Sequence, residues 1–487
     1  MTSDRAHEQQ RSIALALRRA ELTTDQLWLR YFALGGEADI VEIDAYLHGL
    51  GELSPIQRDV LAHAVNERLD ELAPPHRATY SRQFRESQPR TPPLAALVTL
   101  LEGTELAPPE RLPEVAEAAG KALGVGITVY VVDYDQHRLH PLRAGREPAE
   151  SLDVDGTLAG RAFRLVQILP VETAGRPRLW VPLRDGVERL GVLEIVVSDP
   201  DDLYDPGLRT QCWWLSVLLG HLVTLVNQYG DAIDLVRLPT RRSVPGELMW
   251  SLLPPLTAGV GNFVVTGVVE PRQEISGDAF DYALSESTAS LIILDAVGHD
   301  LRSGLIAATA LAAYRAARHA GHSLFEQARS IDELISRQFG ESLFATAILA
   351  EVHLPTGRLR YVNAGHPPAL IMRGGKIVKP LTKGRRTPLG LGVSNLTVGE
   401  EILQPDDWLV LHTDGITEAR NGDGEHFGET RLADFLHREA AAGHPPPETV
   451  RRLIRAVLNH QDGTLQDDAT VLLARWTTDP VPLVMAP

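Results

Sequence analysis

Residues 290–300 read SLIILDAVGHD: four apolar residues, Leu291 to Leu294, then Asp295, then Gly298. Three further stretches repeat the design, EISGDAFDY (274–282) with Asp278, WLVLHTDGITEA (408–419) with Asp414, and LQDDATVLLA (465–474) with Asp467. In each, the aspartate is expected to end a strand-like run, where the chain leaves the core and a carboxylate can face a cleft. Gly277, Gly298 and Gly415 flank these acids and permit close backbone approach or positive φ. A single Asp-Gly pair is most often only a turn, and spacing alone does not bring the four together. Four in one region nevertheless favour a cluster. Gathered carboxylates repel one another at neutral pH unless cations lie between them. An all-oxygen donor set suits Mg²⁺ or Mn²⁺ rather than zinc or copper. Such a site can hold two ions and polarise a water against a phosphate ester.

The surrounding pattern is rich in strands: NFVVTGVVEP, SLIILDAVG, FATAILAEVHL, RLRYVNAG, PALIMRGGKIVKP, DWLVLHTDG and DATVLLARW. Gly374-Gly375 marks a tight hairpin. Helical blocks separate the strands, SGLIAATALAAYRAARHAG with SLFEQARSIDELISRQF, then TRLADFLHREAAA with PETVRRLIRAVLNH. Mostly antiparallel strands with inserted helices predict two packed sheets flanked by helices.

Upstream, residues 5–85 read as helices. Ser54-Pro55 opens one of them with an N-cap and a first-turn proline, and Leu61, Val65 and Leu69 line one face of it. Pro74, Pro75, Pro89, Pro92 and Pro93 predict a stiff connector. From 95 to 230 come a helix (LPEVAEAAGKALG), a strand (GITVYVVDYD), a turn (HRLHPLRA), a helix (TLAGRAFRL), two strands (RLWVPLRD, RLGVLEIVVS) joined at Asp185-Gly186, and a long apolar helix. This order, with DGTLAGRAF before WVPL and GVLEI, resembles a GAF sensor domain, which implies a small-molecule ligand or a dimerisation role. The long helix at 207–229 allows a homodimer. His137, His140 and His221 lack metal-ligand spacing, and Cys212, beside two tryptophans, reads as a buried structural thiol. Residues 231–255 form a linker whose apolar segment, LMWSLLPPL, is a candidate coupling helix ending at Pro254-Pro255.

Seven stretches in order, ISGDAFDY, LDAVGHDLRSGLIAATAL, FATAILAEV, YVNAGHPPALI, TPLGL, HTDGITEARN and QDDATVLLA, make the C-terminal half similar to the SpoIIE/RsbU-type branch of the PP2C-like (PPM) serine/threonine phosphatases. The resemblance implies an αββα sandwich (256–477), and with the readings above the expected chain is multidomain α+β: a helical N-terminal region (1–90), a GAF-like α/β domain (95–230), the linker (231–255) and that sandwich. It implies two Mn²⁺ or Mg²⁺ ions held by Asp278, Asp295, Asp414 and Asp467, with Asp295 bridging and the Ala296 carbonyl as an extra ligand. Asp468 is the weaker choice for the last position, and Asp281 reads as structural. The implied reaction is direct hydrolysis of phosphoserine or phosphothreonine on a protein, often an anti-sigma-factor antagonist of the STAS type. Two departures stand out. Asp300 occupies the place of a usual glycine after Gly298-His299, where an extra carboxylate could repel phosphate, and His412 replaces a common aromatic. His299 and His366 read as loop or backbone-bonding residues.

The formal net charge of −17 over 487 residues argues against a nucleic-acid binder and against a nuclease. No run approaches a membrane span, the N-terminus lacks a signal-peptide layout, and one cysteine fits a reducing cytoplasm. The competing reading is a catalytically inert scaffold that binds a partner protein. Such scaffolds lose metal carboxylates, and all four are present here.

Overall fold

The computed structural model describes residues 2–72, 91–143, 150–173, 176–238, 242–272, 275–340, 342–392 and 397–478. The chain forms two compact units, Met1–Pro89 and Arg90–Pro487. The first contains helices α1 (Thr2–Arg19), α2 (Thr24–Ala33), α3 (Ile40–Leu47) and α4 (Pro55–Leu72). Capping boxes start α2 (Thr23 with Gln26) and α3 (Asp39 with Glu42), satisfying amide donors that the first helical turn leaves open. The predicted stripe of Leu61, Val65 and Leu69 packs with Ile13, Leu27, Tyr31 and Ile43.

The second unit begins with α5 (Pro92–Thr104) and α6 (Leu112–Leu123). Here the expected connector is corrected: Pro92 and Pro93 lie in the first turn of α5, where proline loses no hydrogen bond and its φ is already helical. Pro74, Pro75 and Pro89 fall outside the described residues. Strands β1 (Gly126–Val132), β2 (Arg138–Pro141) and β3 (Leu152–Asp153) precede α7 (Leu158–Leu165); β4 (Leu169–Thr173), β5 (Arg176–Asp185) and β6 (Glu188–Val196) follow it. They form one sheet, β3-β2-β1-β6-β5-β4. The segment HRLHPLRA, expected as a turn, supplies β2, which pairs with β1; hairpin pairing overrides its weak strand propensity. The long helix α8 (Pro206–Val226) covers one face, burying Cys212 with Leu215 and Leu219. Burial pushes the Cys212 thiol up to about 12, so it stays protonated and inert.

After α9 (Ala232–Arg237) and α10 (Val244–Leu252) come β7 (Thr257–Val260), β8 (Phe263–Glu270), β9 (Asp278–Leu284) and β10 (Thr288–Ala296), then α11 (Leu301–His319) and α12 (Leu324–Phe339). Strands β11 (Ala345–His353), β12 (Arg358–Ala364), β13 (Leu370–Arg373), β14 (Lys376–Pro380), β15 (Arg385–Arg386), β16 (Gly399–Ile402) and β17 (Trp408–His412) continue the chain. It closes with α13 (Asp414–Thr417), α14 (Gly428–Ala441), α15 (Pro446–His460) and β18 (Ala469–Trp476). One sheet runs β15-β12-β11-β10-β9 with β16 on β12; the other runs β14-β13-β17-β18-β8-β7. Their facing sides share a core of Phe263, Phe280, Leu291, Ile293, Tyr361 and Leu472. Helices α11 and α12 cover the outside of the first sheet and α14 and α15 the outside of the second. This is a sandwich in αββα order, with near-continuous burial along β10, β11 and β18 supplying both inner and outer apolar faces.

The six-stranded β3-β2-β1-β6-β5-β4 sheet and the sandwich meet within the same unit. Glu448 of α15 accepts from Arg189 of β6 at 3.3 Å and from Arg451 at 2.9 and 2.8 Å. Arg451 in turn donates to Asp155, before α7, at 2.7 Å. On α10, Met249 packs against α11 and Trp250 meets Tyr134 edge to face at 5.0 Å. Among the described residues no helix is long and apolar enough to cross a membrane.

Candidate active site

Register builds the site. Strands β9 and β10 are antiparallel, and Asp278 lies directly opposite Asp295. Two of the expected positions differ in detail from a strand-end acid. Asp278 opens its strand, and Asp467 lies just before β18. Because neighbouring strands run in opposite directions, the start of one lies beside the end of the next, so the acids still reach one edge of the sandwich. Asp414 opens α13 directly after β17, and β17 pairs with β18 so that His412 is opposite Val471.

The two sheets are tied at this edge. Thr413 donates its hydroxyl to Asp278 Oδ2 at 2.7 Å and accepts from the Thr470 amide at 3.0 Å. Asp468 accepts from the Gly277 and Arg272 amides, both at 2.7 Å. It therefore anchors the loop that delivers Asp278. Two glycines make the closeness sterically feasible. A Cβ on Gly277 would stand 2.8 Å from the Ala296 carbonyl oxygen, and one on Gly415 only 1.9 Å from that of Asp468. Neither position tolerates a side chain without backbone movement.

Electrostatics show that the acids converge. Burial, then Asp295 and Asp468, hold Asp278 well above the usual carboxylate range. Burial, then Asp414, Asp467 and Asp468, push Asp295 up to about 7. Asp414 is raised by burial, then by Asp467 and Glu418, and Asp468 is raised chiefly by burial. Carboxylates whose charges raise their neighbours in this way form a concentration of negative charge. Their all-oxygen chemistry and charge surplus fit hard divalent cations. Among the described residues, no three His, Cys, Asp or Glu side chains already stand in an arrangement that could hold one ion. The acids are thus gathered at one edge but not drawn in around a shared centre, and Asp278, Asp295, Asp414 and Asp467, with the Ala296 carbonyl near Gly277, are the groups available to hold cations.

The remaining sequence candidates have defined partners. Asp281 is buried on the opposite side of β9 in a bidentate pair with Arg315, 3.0 and 3.1 Å, with Arg318 at 3.3 Å; it clamps α11 to the sheet. Asp300 N-caps α11, accepting from the Arg302 and Ser303 amides at 2.9 and 3.2 Å, so the residue in the usual glycine position is committed to helix capping. His299 is exposed. His366 is buried, its Nδ1 2.7 Å from the Thr346 hydroxyl, and burial lowers it to about 3. His412, also lowered by burial, has its Nδ1 3.1 Å from the Thr413 carbonyl. Burial thus favours the neutral form of both imidazoles over the cation. Sequence reasoning missed Thr413 as the tie between sheets and Asp468 as a loop anchor. The hydroxyl preceding Asp414 and the doubled aspartate were the available signals.

Residues 285–477 match the model of the family described as Stage II sporulation protein E (SpoIIE). Over 210 residues the chain is 23% identical to the phosphoserine phosphatase RsbU of Bacillus subtilis, spanning 42% of this chain and 61% of that protein. Over 152 residues it is 30% identical to the phosphoserine phosphatase RsbP of the same organism, spanning 30% of this chain and 37% of the relative. It is 23% identical to protein IcfG of Synechocystis over 279 residues, 51% of this chain and 43% of that one. The chain therefore spans about two fifths to three fifths of these relatives. Among solved structures, the SiaA-PP2C domain of Pseudomonas aeruginosa aligns with 25% identity and a TM-score of 0.42, over 47% of this chain and 94% of that domain.

Proposed function

We propose that this chain, whose residues 285–477 match the SpoIIE family, is a metal-dependent protein-serine/threonine phosphatase. The observation that carries the reading is geometric: Asp278 lies opposite Asp295 in the β9–β10 register, and the Thr413–Asp278 hydrogen bond brings the neighbouring Asp414 to the same edge. Asp278, Asp295, Asp414 and Asp467 hold the cations, with the Ala296 carbonyl as a further oxygen donor. Divalent ions bound there supply a Lewis acid and lower the pKa of water, the chemistry required to hydrolyse a phosphate ester. The protein's own contribution is positional. Thr413 fixes the orientation of Asp278, Asp468 holds the Arg272 and Gly277 amides, and the β9–β10 register sets Asp278 against Asp295.

The proposed substrate is phosphoserine or phosphothreonine on a regulatory protein, an anti-sigma-factor antagonist of the STAS type. The relatives named phosphoserine phosphatases support this choice. The same proposal divides the second unit into a GAF-like sensor (95–230), a coupling segment (231–255) and a catalytic domain (256–477). The Glu448–Arg189 and Arg451–Asp155 contacts and the α10–α11 packing support communication between sensor and catalytic parts.

The test is hydrolysis of p-nitrophenyl phosphate and of a phosphorylated STAS-domain protein with and without Mn²⁺. Activity that requires the ion and disappears in Asp295→Ala, with unchanged circular dichroism, is the expected result. A folded, Mn²⁺-loaded protein that binds the STAS protein but releases no phosphate would instead establish the inert scaffold.

A further inference from the structure

A cavity of about 810 Å³, lined by none of the four site aspartates, lies where the tip of the β5–β6 hairpin, the end of α8 and the segment joining α10 to β7 come together. Its volume falls within the roughly 300–1,000 Å³ of small-molecule sites, which favour domain junctions. Tyr134 and Trp250 form an aromatic wall, with Leu253 and Pro254 continuing the apolar lining.

Two of its lining side chains, Asp185 and Glu188, are carboxyl acceptors. The Asn227 amide nitrogen donates to Asp234 Oδ1 at 3.1 Å. A carboxylate only accepts, so this bond fixes which amide atom is the oxygen. That oxygen, Asn227 Oδ1, is buried without a hydrogen-bond partner. Glu188 lines the same cavity and receives the Thr257 amide through one carboxylate oxygen. Arg237 stacks on Tyr134 at 4.1 Å and donates to the Val132 carbonyl at 2.9 Å, Arg242 lies over Tyr134 and Trp250 at 4.5 and 4.1 Å, and Asp185 is paired with His221 at 2.5 Å. A buried acceptor without a donor costs free energy that a bound donor recovers.

We propose that this cavity binds a small, largely apolar and partly aromatic molecule carrying an amine or amide N–H, which Asn227 Oδ1 and Glu188 receive. A carboxylate ligand has no donor to offer these acceptors and is disfavoured. Occupancy presses on Trp250 and on the segment after α10. The same helix places Met249 against Gly304 of α11, 3.5 Å from the position of an added Cβ, so a ligand here bears on the helix that follows Asp295. The site belongs to the seam between sensor and sandwich rather than to either alone, and its occupancy is read by binding, independently of any phosphatase activity.

The experiment uses the full chain with 2-phenylethylamine as the probe and phenylacetate as an acid of similar size. Saturation-transfer NMR and calorimetric titration should show saturable binding of the amine and none of the acid. Asn227→Ala should weaken the amine about fivefold, the worth of one hydrogen bond, and Glu188→Gln should weaken it further by replacing an acceptor oxygen with a donor amide. Thr224→Trp, which fills the cavity from α8, should abolish binding. If that variant fails to fold, the Asn227 and Glu188 variants carry the same test. Equal binding of the acid, no saturable binding of the amine at millimolar concentration, or an affinity unchanged in the Asn227 and Glu188 variants would overturn the assignment.

Discussion

Replacing Glu448 with alanine should destabilise the second unit without touching the carboxylate edge. The Glu448 side chain is 0% exposed, and those of its partners Arg189 and Arg451 are 4% and 3% exposed. Removing one member of a buried pair typically costs about 3–5 kcal/mol, because the remaining charge is left in a desolvated site. Here both arginines keep other acceptors. Arg451 retains Asp155 at 2.7 Å, and Arg189 retains the Gln136 side chain at 3.0 Å and the Arg164 carbonyl at 3.3 Å. The lower end, about 3 kcal/mol, is therefore expected. Unit Arg90–Pro487 has 398 residues (487 − 90 + 1). At roughly 2.1 cal/mol/K per residue its unfolding entropy is about 0.84 kcal/mol/K, so 3 kcal/mol lowers the melting temperature by about 3–4 °C if the unit melts cooperatively. Differential scanning calorimetry reads this directly, and a larger shift means that a smaller part melts alone. The double variant Arg189→Met with Glu448→Met should recover much of the loss, since apolar replacement of a buried pair is often neutral. A shift below 1 °C for Glu448→Ala would refute the reasoning.

Three further outcomes are expected. Asp295→Asn should stabilise the ion-free protein at pH 8: the folded carboxyl is pushed up to about 7, so its stability contribution is present below the ordinary carboxylate pKa and is lost as pH rises through 7, a loss that the amide removes; urea denaturation with a chelator present checks it. Burial raises Glu188 to about 7, so the folded state holds an extra proton between about 4.5 and 7, stability falls across that window as pH rises, and Glu188→Gln should flatten melting temperature against pH there. Gly415→Ala should cost about 2 kcal/mol or more, since its Cβ would sit 1.9 Å from the Asp468 carbonyl oxygen and the backbone must move; calorimetry measures the loss, and Mn²⁺ titration should show weaker binding.

The strands with clean apolar runs, such as Leu291–Leu294 and Val471–Leu473, could be read from sequence because both faces are buried. Strand β9 was harder to read, since DAFDYAL carries two acids whose purpose appears only in three dimensions: Asp278 faces the carboxylate edge, and Asp281 pairs with Arg315 more than thirty residues away. Strand β2 was hidden because HRLHPLRA has turn-like composition, and its pairing with β1 comes from topology. Prolines 92 and 93 were misread because proline both stiffens linkers and starts helices. For the site, apolar-run-then-acid patterning marked the four aspartates. The division of work between Asp467 and Asp468 needs coordinates, because only there do the Gly277 and Arg272 amides take up the second carboxylate.

The acids are split evenly between layers: Asp278 and Asp295 come with one sheet, Asp414 and Asp467 with the other. Neither half-formed layer contains more than two of them. A nascent or partly melted chain therefore lacks the full constellation, which is completed by docking and latched by the Thr413–Asp278 bond. Any force that shears one layer past the other acts on the spacing of the acids themselves, making the sandwich seam a mechanical dial as well as a core.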